Sequence, residues 1–183
     1  MSRYVRLTVN NATPTGRYKE VWASLYEMEI YVRESSDITL DEAGAKIQFR
    51  GGSLRMDYEN YDKTSLRFGY KIQLPKGATL DNWSWEYTTT NPNKTLTVEG
   101  ISKVENPDGT ITANLVITGI PSQSYALVLT AKMKIVYTLD GMQYTLAETV
   151  TRERSVNTVA QSILASSKAT QAEKDYAANI LLQ

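Results

Sequence analysis

The residue pattern predicts a mostly β protein: an antiparallel β-sandwich, immunoglobulin- or jelly-roll-like, with a C-terminal pair of short amphipathic helices. Three observations predict it. Several segments alternate apolar and polar residues with period two, as half-buried strands do. Turn signals separate these segments at short spacing with no helical pattern between them, which favours antiparallel pairing over βαβ units. Near Arg152 the period changes, and apolar residues recur at intervals of three and four.

In chain order, residues 3–9 come first, with Val5, Leu7 and Val9 opposed to Tyr4, Arg6 and Thr8. A turn-rich run over 10–16 leads to a second alternating segment over 21–33, so residues 1–36 read as an N-terminal β-hairpin. Residues 44–75 organise the remainder of the chain. They hold two similar phrases, Ser53-Leu54-Arg55-Met56 and Ser65-Leu66-Arg67-Phe68, expected to be two strands of one sheet. From the second phrase onward Leu66, Phe68, Tyr70, Ile72 and Leu74 share one face, and Arg67, Gly69, Lys71 and Gln73 the other.

Residues 82–87 form a short aromatic segment, and a strand is expected over 95–103. Asn106-Pro107-Asp108-Gly109 is a strong turn signal before the alternation of 111–117. The longest expected strand runs over 126–139, with Leu127, Leu129, Ala131, Met133, Ile135 and Tyr137 on one face. Asp140-Gly141 is the preferred two-residue hairpin turn, and residues 142–150 return as the partner strand. The sandwich is thus expected over 37–150.

Residues 151–183 are expected to be a helical tail. Ser155 caps a helix whose apolar positions are Val156, Val159, Ala160, Ile163 and Leu164. Thr170 and Glu173 form a capping box for a second, with Ala172, Tyr176, Ala177, Ile180 and Leu181 on its apolar face. Short amphipathic helices need a surface, either the sandwich or a partner.

Composition narrows the function classes. Cysteine and histidine are both absent, which excludes cysteine nucleophiles, Ser-His-Asp triads and thiolate or histidine metal sites. Twenty basic and twenty acidic residues cancel, so no nucleic-acid partner is indicated. No apolar run reaches the length of a membrane helix, so no membrane insertion is expected. Nor is there the apolar core of a signal peptide, so the chain is expected either to lack one or to be a piece of a longer protein.

Two resemblances add to this. Arg3-Tyr4-Val5-Arg6-Leu7 and Ala23-Ser24-Leu25-Tyr26-Glu27-Met28-Glu29-Ile30-Tyr31 resemble the last two strands of a discoidin (coagulation factor 5/8 C-type) domain. Residues 1–36 are therefore expected to be the end of a preceding domain, or else a hairpin of this one. The rest carries Gly44-Ala45-Lys46-Ile47, Gly52-Ser53-Leu54-Arg55-Met56, Tyr137-Thr138-Leu139-Asp140-Gly141 and Arg154-Ser155-Val156-Asn157-Thr158-Val159-Ala160. In that order these resemble the marks of an accessory module in large secreted or cell-wall-anchored proteins of Gram-positive gut bacteria. The resemblance implies a non-catalytic, extracellular domain beside enzymes, adhesion domains or wall anchors, with no catalytic residues to carry over.

Three groups of residues are candidate sites. Trp83, Trp85 and Tyr87 fall on one face of an extended segment; exposed, they would stack on a polysaccharide, and otherwise they close an edge of the core. Asp57, Glu59 and Asp62 offer oxygen ligands for Ca²⁺ without an EF-hand pattern, the alternative being a solvated loop. Tyr58 and Tyr61 in the same loop offer an interaction surface. Arg55 and Arg67 are either paired with a buried carboxylate or outward-facing. No catalytic constellation stands out, and no cofactor is implied. The expected role is a spacer or docking module that meets neighbouring domains or a protein partner. The alternatives are a carbohydrate-binding module and a small self-assembling phage virion protein.

Overall fold

The computed structural model describes residues 37–55, 63–91 and 94–183, all within the unit Ser35–Gln183. The hairpin expected over 1–36 lies outside the described residues. Among the described residues, in chain order, come β1 (Ile38–Leu40), β2 (Lys46–Arg55), β3 (Lys63–Gln73), β4 (Thr79–Thr88) and β5 (Thr95–Glu99). Then come β6 (Lys103–Glu105), β7 (Ile111–Pro121), β8 (Leu129–Leu139), β9 (Met142–Ala147) and β10 (Arg152–Arg154). Helices α1 (Val156–Ala165) and α2 (Gln171–Leu181) close the chain.

The strands form two antiparallel sheets, and neither closes into a barrel. Sheet A has the order β1-β2-β3-β7-β6. Sheet B is built on β8, with β4 and then β5 beyond one edge, while β9 and β10 share the other edge end to end. The inward residues of both sheets make one core. Leu66, Phe68, Tyr70 and Ile72 of β3 are fully buried, as are Ala131, Met133, Ile135 and Tyr137 of β8. Across the interface the rings of Tyr70 and Trp85 stand 6.4 Å apart.

The duplicated phrases are neighbours in one sheet, as expected: Leu54 lies opposite Leu66, and Ser53 opposite Arg67. Asp140 and Gly141 both have positive φ (50° and 78°), the geometry that a type I′ hairpin requires. Other expectations need correction. The strand expected over 95–103 is two strands in different sheets, because the chain leaves sheet B after β5 and enters sheet A at β6. Gly100 makes that crossing. Its N–H bonds the Trp83 carbonyl at 2.7 Å, and any side chain there would overlap the Trp83 indole. The strand expected from 126 begins only at Leu129, after a 3-10 turn at Ser122–Ser124, and it equals β3 and β7 in length. The tail's first residues are not helical but form β10, which pairs with β8.

Both helix starts are as expected. Thr158 N–H donates to Ser155 Oγ at 3.1 Å, and Glu173 N–H donates to Thr170 Oγ1 at 3.3 Å. The helices pack on the sandwich. The α1 side chain Val159 comes so close to β2 that a Cβ on Gly52 would lie 2.8 Å from it. The Tyr176 hydroxyl of α2 donates to the Arg55 carbonyl and lies 3.0 Å from Thr64 Oγ1. Leu164 and Ala172, assigned to the apolar faces, are exposed instead. Among the described residues no helix is long and apolar enough to cross a membrane.

Candidate functional site

Trp83 and Trp85 lie on one face of β4, and that face points into the sandwich. Trp83 is 9% exposed and Trp85 3%; Tyr87, at the end of the strand, is half-buried against the core. Alternation on a strand places residues on a common face but does not say which side that face meets. The two indoles are core residues, so they do not form an open platform for a sugar ring. The acidic residues Asp57, Glu59 and Asp62, and Tyr58 and Tyr61 beside them, lie outside the described residues. Among the described residues no group of three acidic side chains is placed to hold a metal ion.

Arg55 and Arg67 are both exposed, and Arg67 Nε donates to Ser53 Oγ at 2.7 Å. The buried arginine is another one. Arg152 and Glu148 are the two buried charged residues among the described ones, and they form a pair: Arg152 Nε donates to Glu148 Oε1 at 2.7 Å. The pair sits where β9 gives way to β10 along the edge of β8. There the chain advances five residues (147 to 152) while β8 advances three (134 to 131), so the ladder is broken opposite Met133. Glu148 mends the break. Its N–H donates to the Met133 carbonyl at 2.9 Å, and its Oε2 accepts from the Met133 N–H at 2.8 Å.

Arg152 reaches onward to Asp37 Oδ1 at 3.3 Å. Its guanidinium and that of Arg154 lie 5.4 and 4.9 Å from the centre of the Phe49 ring, a cation–π arrangement with two cations. Burial, and then the Glu148 charge, push the Tyr70 hydroxyl well above its ordinary range. No spacing rule marks Glu148 or Arg152 in the sequence. The only available signal is that an arginine and a glutamate four apart interrupt an otherwise alternating strand pair.

A second irregularity opens outward. In β2 a bulge between Phe49 and Gly51 displaces Arg50, and Gly51 takes φ 111°, a conformation suited to glycine. Gly51 is paired with Gly69, and Gly69 with Asn114, so this row across sheet A carries only the Asn114 side chain. The result is a groove of about 650 Å³. One wall is Arg50, Arg67 and Ser53, and the other is the turn Asn106-Pro107-Asp108. Lys71 Nζ bonds Asp108 Oδ2 at 2.8 Å, and Asp108 Oδ1 accepts from the Thr110 N–H at 3.1 Å. Lys71 and Thr110 together hold the Asp108 carboxyl well below the usual carboxylate range.

No protein-family model matches this chain, and no curated protein matches it.

Proposed function

We propose that this chain is a non-catalytic structural module, a spacer or docking surface within a large bacterial surface or secreted protein. The observation that supports this reading is the use made of the buried charge. The Glu148 carboxylate is spent on a backbone N–H and on Arg152, so it braces the sandwich rather than facing a substrate. Asp41 does the same work elsewhere: it accepts from the Ala45 N–H at 2.9 Å and from the Tyr137 hydroxyl at 2.7 Å, tying the β1–β2 turn to sheet B. Of the phrases that resemble the accessory modules, three fall at the start of β2, at the β8–β9 turn and at the passage from β10 into α1, and Gly52-Ser53-Leu54-Arg55 of the fourth lies on β2.

Stacking of sugars on Trp83 and Trp85 is not part of this reading, because those rings are in the core. Two observations test the main reading: the genomic reading frame around these residues and the assembly state by analytical ultracentrifugation. A frame that continues into further domains, with a monomeric protein, is the expected result. A frame confined to these residues, with assembly into large rings or tubes, overturns it in favour of a virion component.

A further inference from the structure

We propose that the groove on the outer face of sheet A binds an acidic saccharide, a chain of sugar units bearing carboxylate or sulfate groups. Its size lies within the range of small-molecule sites. A second depression of about 300 Å³ continues it past Lys71 and Asp108 toward Lys46, Gln48 and Gln73, so the whole is a trough suited to an extended ligand.

The floor is the decisive feature. Gly51 is explained by its backbone and Gly52 by the approach of Val159, but Gly69 is explained by neither. Gly69 has no positive φ, and a Cβ there would meet nothing nearer than Asn114 Oδ1 at 3.4 Å, an ordinary contact. Glycine inside a strand weakens it and marks a bulge or the close approach of a ligand; Gly69 lies opposite the β2 bulge, and its bare backbone leaves the floor open to a ligand.

The walls supply the chemistry. Arg50 is exposed and makes no hydrogen bond or ion pair among the described residues, and Arg67 engages Ser53 through Nε. Guanidinium groups present planar donor pairs that fit carboxylate and sulfate oxygens. Lys71 is already neutralised by Asp108, so the unmatched charge of the groove is the two arginines. Asn114 and the exposed carboxylate of Asp108 can donate to and accept from sugar hydroxyls.

The test is a titration of the isotope-labelled protein with a trimer of galacturonic acid, its methyl ester and a sulfated trisaccharide, followed through backbone amide shifts. Saturable shifts centred on Gly51, Gly69 and Asn114 are expected with the acidic sugars, whose relative affinities identify the preferred anion. Binding of the neutral ester is expected to be weaker by about tenfold or more, and the Arg50→Ala, Arg67→Ala double variant should lose as much for the acids. Gly69→Val, which fills the floor, should abolish binding while leaving the remaining amide shifts in place. The proposal is overturned by no saturable response to either acidic sugar at millimolar concentration, by equal binding of the ester, or by undiminished binding in the folded variants.

Discussion

Several ladders among the described strands are interrupted, and two of the interruptions are treated in opposite ways. On sheet B the gap between β9 and β10 is filled from within by Glu148, which supplies the missing acceptor to Met133 and is neutralised by Arg152. On sheet A the bulge at Arg50 and Gly51 is left empty, with Gly69 paired to it and the solvent side open. A break facing the core has to be satisfied, because an unpaired buried polar group costs about 1–3 kcal/mol. A break facing water carries no such penalty, so its shape is free to serve something other than stability.

Damage to the filled break should give the largest effect. Glu148→Leu leaves Arg152 buried with only Asp37 and strands the Met133 N–H, and should lower stability by roughly 3–5 kcal/mol in urea unfolding. Glu148→Leu combined with Arg152→Leu should recover part of that loss, because two apolar side chains replace the pair. The recovery should stay incomplete, since Met133 still lacks its acceptor. Full recovery would mean that the backbone repair contributes nothing.

Gly100 tests whether the crossing between the sheets is equally rigid. A methyl group there must displace the Trp83 indole from the core, and Gly100→Ala should cost about 3 kcal/mol, read from the same unfolding curves. The helical tail is held more lightly. Tyr176→Phe removes the hydroxyl shared by Arg55 and Thr64 and should cost roughly 1–2 kcal/mol. Hydrogen exchange should quicken in α1 and α2 while the amides of β8 remain protected.

The Asp41–Tyr137 tie between the sheets gives a dependence on pH. Burial, and then Asp41, push the Tyr137 hydroxyl up to about 12, whereas tyrosine in an unfolded chain ionises near pH ~10. Between those values the unfolded chain has lost the proton that the folded chain keeps. Stability is therefore full below pH ~10 and declines as pH rises through about 12. Urea midpoints measured across this window should fall, and fall less steeply in Tyr137→Phe. The slope that remains belongs in part to Tyr70, which burial also holds protonated.

The legibility of the fold in the sequence follows the range of the interactions. The alternation of Leu66 to Ile72, the Asp140-Gly141 hairpin and the caps at Ser155 and Thr170 depend on neighbours a few residues away, and each is found where the residue pattern puts it. The direction of the Trp83 face, the change of sheet at Gly100 and the pairing of Glu148 with Met133 depend on what lies across the core. Period-two patterning carries no information about those partners. The groove belongs to the second kind as well. Gly51, Gly69 and Asn114 lie up to 63 residues apart (51 to 114) and meet only through strand register.

The smallest expected effect is the one that most sharpens the contrast between the two breaks. If the open face of sheet A were shaped by folding alone, Gly69 would be needed, and Gly69→Ala would destabilise as Gly100→Ala does. Its φ is ordinary and its Cβ position is unobstructed, so replacement should instead restrict the unfolded chain and add strand propensity. A gain of about 0.5–1 kcal/mol in urea unfolding is expected. Such a gain would mean that the wild-type residue is less stable than its simplest alternative at the centre of a sheet. That is the pattern expected where a site is kept open against the interest of the fold.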